Sequence, residues 1–67
     1  MALGRIVAEN LRAMRAKQRL SQEDVAKRSG YSVSYISMLE RAERTPPLDT
    51  LEALAKALRT SPLDLLQ

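Results

Sequence analysis

The sequence predicts an all-α fold, a compact bundle of five helices, and three observations predict it. Apolar residues recur at helical spacing, as in Val7, Leu11 and Met14 and again in Leu48, Leu51, Leu54, Ala55 and Leu58. Phe and Trp are absent while Ala and Leu abound, which starves a β fold of the residues that fill a pleated surface. Ser, Gly and Pro fall between the periodic segments, where helices start and stop. At 67 residues the chain is read as one domain, 1–67. Without cysteine it has no disulfide staple, so helix packing must supply its stability.

The first helix is read over Leu3–Lys17, with Gln18 and Arg19 leading out of it into Leu20. Ser21 opens the second helix, because its hydroxyl can accept from the free N–H groups of the first turn. Asp24, three residues on, is a shortened capping-box partner and places negative charge at the positive end of the helix dipole. Gly30 stops this helix, since glycine takes the left-handed conformation without steric cost. Ser32 caps the third helix, which continues to about Arg41. A loop with Arg44, Thr45, Pro46 and Pro47 precedes the fourth helix, at about residues 48–58. Ser61 and Pro62 start a short fifth one, proline being suited to the first helical position.

Composition narrows the function classes. The formal charge is +3, and residues 1–45 carry nine Lys/Arg against five Asp/Glu, so the basic excess sits in the first two thirds. Such a surface attracts polyanions. With no histidine, no cysteine and no glycine-rich phosphate loop, neither catalysis nor a zinc site of the usual ligands is expected, and no cofactor or small-molecule effector is evident. No apolar run approaches the ~20 residues that cross a bilayer. The start, Met1-Ala2-Leu3-Gly4-Arg5, lacks the apolar block of a secretory signal. A cytoplasmic protein is expected.

The informative stretch runs from Ser21 to Glu40. Two helices joined by about three residues must cross steeply. A steep crossing needs a small residue at closest approach, supplied by Ala26, and a corner free to take positive φ, supplied by Gly30. Val25, Ile36 and Leu39 have the spacing to fill the crook. With Ile36 and Leu39 inward, Val33, Ser34, Ser37, Met38 and Arg41 share the outer face of the third helix, flanked by Gln22 and Arg44. Such a face fits the DNA major groove, its side chains on base edges and the flanking cations on phosphates.

These residues resemble the phage repressor and Cro-like helix-turn-helix family, also called the xenobiotic-response-element family. The resemblance is carried by Leu20-Ser21-Gln22-Glu23-Asp24-Val25-Ala26, Gly30, Tyr35-Ile36-Ser37, Leu39-Glu40-Arg41, Pro47, Leu51, Leu54 and Leu58. It implies a lambda-repressor-like DNA-binding domain that binds a pseudo-palindromic operator in double-stranded DNA as a homodimer and regulates transcription, repression being expected. It implies base reading by Val33, Ser34, Ser37 and Met38, phosphate contacts from Gln22, Tyr35, Arg41 and Arg44, with Gln22 also supporting the third helix, and an ion pair between Arg15 and Glu40. Tyr35 has two readings, packing against the second helix or donating its hydroxyl to phosphate. Leu63, one turn before the core-closing Leu65 or Leu66, is the candidate dimer contact.

The chain departs from the family's pattern at Arg19, Ala42 and Arg59, where glycine is common; positive φ there costs on the order of 1 kcal/mol at each. Its reading face also has no Asn, Gln or Arg for bidentate base contacts before Arg41. Thymine-methyl contacts from Val33 and Met38, with readout of DNA shape, are expected instead. The alternative is an antitoxin or anti-regulator acting mainly through a protein partner.

Overall fold

The computed structural model describes residues 2–67, and among them there is no strand. Five helices follow one another: α1 (Leu3–Lys17), α2 (Gln22–Ser29), α3 (Val33–Glu40), α4 (Leu48–Ala57) and α5 (Pro62–Leu66). α1 packs against α3 and α5, α2 against α3 and α4, and α4 against α5. Every helix sends at least one fully enclosed side chain into a common core: Val7 and Leu11 from α1, Val25 from α2, Ile36 and Leu39 from α3, Leu54 from α4 and Leu65 from α5. Each such burial contributes about 1.5–3 kcal/mol. Without staples, this shared core is what holds the helices in place.

The serines act as the sequence predicts. Ser21 Oγ accepts from the Asp24 N–H at 3.0 Å while the Asp24 carboxylate accepts from the Ser21 N–H at 2.9 Å, a complete capping box. Ser61 and Asp64 form a second one at α5. Ser32 accepts from the Tyr35 N–H at 3.1 Å and so starts α3.

The helix ends differ slightly from expectation. α3 stops at Glu40, with Arg41 as its cap, and α4 stops at Ala57, with Leu58 as its cap. The reason is backbone reversal in the next residue: Arg19, Ala42 and Arg59 hold φ of 58°, 59° and 55°. After each, an N–H returns to a carbonyl five residues back, Leu20 to Arg15, Glu43 to Met38 and Thr60 to Ala55, all at 2.9 Å. The glycine-type turns are therefore kept by residues that bear a Cβ. Leu48 also departs from expectation. Although it falls in the apolar stripe of α4, it is 78% exposed, while Thr50 and Leu51 of the same turn are buried.

Gly4 has a packing role. A Cβ there would stand 2.9 Å from Thr45 Oγ1, so glycine lets the start of α1 lie against the loop between α3 and α4. That loop carries the cations that flank α3.

Candidate nucleic-acid interface

The corner between α2 and α3 is built from local chemistry. Gly30 takes φ 82°, and both its N–H and that of Tyr31 return to the Ala26 carbonyl, at 2.9 and 3.1 Å. Ala26 is buried where the two helices meet, and Val25, Ile36 and Leu39 are fully enclosed behind it. The short side chain of Ala26 allows the close crossing.

With Ile36, Leu39 and Glu40 turned inward, α3 presents Val33, Ser34, Ser37 and Met38 outward. These four line one shallow depression together with Gln22 at the start of α2 and Arg41 at the end of α3. Val33 and Ser34 are exposed, whereas Ser37 and Met38 are half-buried at its floor. Two further candidates lie outside its lining. Arg44 is exposed on the following loop. Tyr35 packs sideways, its ring tilted at 44° against Tyr31 with centroids 5.1 Å apart, and Tyr31 is tied in turn to Thr50 Oγ1 at 3.0 Å.

Behind the face stands a polar node. Glu40 is 4% exposed, and its carboxylate accepts from Arg15 Nε at 2.7 Å, Arg15 Nη2 at 3.1 Å and Gln22 Nε2 at 3.0 Å. Arg15 also donates to the Leu20 carbonyl at 3.0 Å, and Arg12 donates to the Glu40 carbonyl at 3.0 Å. The Glu40 carboxylate holds Arg15 above the ordinary arginine range, an effect that partial desolvation of the guanidinium opposes. Three helices are thereby locked at the back of the reading face, and Gln22 is oriented by an acid rather than left free on the surface.

Sequence reasoning paired Arg15 with Glu40 and gave Gln22 a part in supporting the third helix, but it did not name Glu40 as the acceptor of the Gln22 amide and missed Arg12 as a donor to the Glu40 carbonyl. The signal was available in principle, because a buried carboxylate must collect donors to offset its desolvation. It also missed Glu43. This residue lines the same depression and grips Arg41, with Nε to Oε2 at 2.6 Å and Nη2 to Oε1 at 3.2 Å, while Arg41 Nη1 donates to the Ser37 hydroxyl. Each partner favours the other's charged form: Glu43 is held below the usual carboxylate range and Arg41 above the usual arginine one. No helical periodicity relates residues 41 and 43; only the reversal at Ala42 brings them together.

The family described as helix-turn-helix matches residues 11–65. The control protein C.SmaI of Serratia marcescens is 49% identical over 61 residues, covering 91% of this chain and 73% of that protein. Among solved structures, the restriction-modification controller protein C.AhdI of Aeromonas hydrophila superposes with a TM-score of 0.91 at 35% identity, covering 97% of this chain and 98% of that one. The P22 c2 repressor, solved in complex with a synthetic operator, gives 0.84 at 41% identity, covering 91% and 92%.

Proposed function

Since the chain belongs to the helix-turn-helix family and is a DNA-binding transcriptional regulator, we propose that it represses transcription as a homodimer, with α3 of each copy in successive major grooves of a pseudo-palindromic operator. The single observation that carries this reading is the outward face of α3, where Val33, Ser34, Ser37 and Met38 line one depression flanked by Gln22 and Arg41. Val33 and Met38 address thymine methyl groups, and the two serines hydrogen-bond base edges. Gln22, Tyr35, Arg41 and Arg44 hold backbone phosphate.

Size supports two copies. The longest extent of the fold is 28 Å, less than the ~34 Å between half-sites one helical turn apart, so one chain reaches one groove. Leu63, 63% exposed on α5 beside fully buried Leu65, is the proposed dimer contact. Residues 1–67 act as one DNA-binding unit, since all five helices feed a common core. No catalytic step and no cofactor enter the mechanism, which is steric exclusion of polymerase. Among the described residues no helix is long and apolar enough to cross a membrane, and we place the protein in the cytoplasm, on DNA when bound.

Selection of bound fragments from random duplex DNA tests the reading. A two-fold symmetric consensus is expected, with a log-log salt slope near −0.9 per neutralised phosphate. Failure to enrich any sequence at low salt overturns specific regulation. A flat salt response with tight binding to a protein partner identifies the interaction role instead.

A further inference from the structure

Immediately after α3 the chain reverses. Arg41 caps the helix, Ala42 takes φ 59°, and the Glu43 N–H returns to the Met38 carbonyl at 2.9 Å. That turn places the Glu43 carboxylate at the edge of the reading face, on the one arginine that lines the depression. Two N–H groups of Arg41 go to Glu43 and a third to the Ser37 hydroxyl, leaving two of an arginine's five donors unassigned. Both side chains are about half exposed, 54% for Arg41 and 50% for Glu43, so their pairing is open to competition from an incoming anion. The other ion pair among the described residues, Arg15 with Glu40, lies behind the face and faces no such competition.

A carboxylate at this place opposes DNA affinity. A phosphate that approaches Arg41 at random meets a guanidinium already chelated by an acid, and the acid repels it. Non-specific binding, which is driven by phosphate neutralisation, is therefore weakened where Arg41 would have contributed to it. Release of the Arg41 fork to the backbone costs the Glu43 pairing on any duplex, selected or random. We propose that Glu43 is an affinity-limiting residue of the reading face, whose carboxylate competes with DNA phosphate for Arg41 on any duplex; this rests on α3 being the DNA-reading helix.

The test measures binding by fluorescence anisotropy on a selected site and on a scrambled duplex across a range of salt. E43Q is expected to tighten binding to the scrambled duplex about two- to five-fold, the range an exposed ion pair supports. Its salt slope steepens by up to about 0.9, one further phosphate. The selected site gains at least as much, because there the guanidinium fork is released from the same Glu43 pairing. Glu52, exposed on α4 with no ion pair among the described residues, provides the charge control, and E52Q is expected to move neither duplex. In an R41Q background E43Q loses its effect. Equal affinities for wild type and E43Q on both duplexes overturn the proposal, as does an equal gain in E52Q or a gain that persists with R41Q. If the wild-type chain binds no duplex, the DNA-reading role of α3 falls and this inference with it; if wild type binds and E43Q matches it, only the competition falls.

Discussion

Glu40, the last residue of α3, accepts two hydrogen bonds from the guanidinium of Arg15 on α1, at 2.7 and 3.1 Å, and the two partners are unequally buried, 4% against 24% exposed. The inequality has a consequence for stability. Arg15→Ala leaves a buried carboxylate with only the Gln22 amide, and is expected to cost about 3 kcal/mol, the lower end for a broken buried pair. Glu40→Ala leaves a guanidinium that water already reaches, and should cost about 2 kcal/mol. Urea denaturation of both variants measures the difference. An almost unchanged midpoint for Glu40→Ala defeats the idea that this node holds α1 to α3.

Three turns carry avoidable strain. Arg19, Ala42 and Arg59 stand at positive φ, where a Cβ crowds the following carbonyl. Arg19→Gly, Ala42→Gly and Arg59→Gly are each expected to stabilise the fold by about 1 kcal/mol, near-additively because the turns close different helices. Thermal melts of the single and triple variants check this. A lower melting temperature in any of them shows that the side chain does more for the fold than its backbone strain takes away.

On the reading face, substitutions should separate sequence recognition from general affinity. Val33→Ala, at a side chain 40% exposed, is expected to leave the melt nearly unchanged and to reduce discrimination at its base step by about 1 kcal/mol. Arg44→Ala should weaken every duplex alike and reduce the salt slope by about 0.9. Competition binding with specific and random DNA distinguishes the two patterns. A uniform loss from Val33→Ala removes that residue from base reading.

Self-association should be separable from folding. Leu63 is 63% exposed while Leu65 closes the core, so Leu63→Glu is expected to fold normally yet remain monomeric at concentrations where wild type dimerises. Sedimentation equilibrium reads both states. An unaltered dimer places the two-fold contact elsewhere.

Acid should loosen the helix starts. Asp24 is held below the ordinary aspartate range by the Ser21 N–H and then its hydroxyl, and Asp64 by the Thr60 hydroxyl and then the Ser61 N–H. Because the folded values lie below the unfolded one, the stability they contribute is complete above about pH 4, the ordinary aspartate range, and is lost as pH falls through the folded values. Denaturation midpoints should therefore drop below about pH 4. Asp24→Asn with Asp64→Asn should flatten that drop; an unaltered acid limb assigns it to other carboxylates.

What the sequence by itself determined is the set of features that close within a turn or so of helix. Ser21, Ser32 and Ser61 cap because a hydroxyl reaches N–H groups two or three residues ahead, and Gly30 marks the corner because left-handed backbone suits it. The outward set on α3 follows from helical periodicity once Ile36 and Leu39 are assigned to the core. What only the tertiary structure decided joins residues that no period relates. Arg12 reaches the Glu40 carbonyl across 28 residues and Gln22 reaches the Glu40 carboxylate across 18, because α1 and α2 both pack against α3. Leu48 lies in the apolar stripe of α4 yet stays in solvent, while its neighbours Thr50 and Leu51 are buried. Glu43 meets Arg41 only because the backbone at Ala42 is left-handed, a conformation closed by the Glu43 N–H bond to the Met38 carbonyl and one that alanine by itself disfavours.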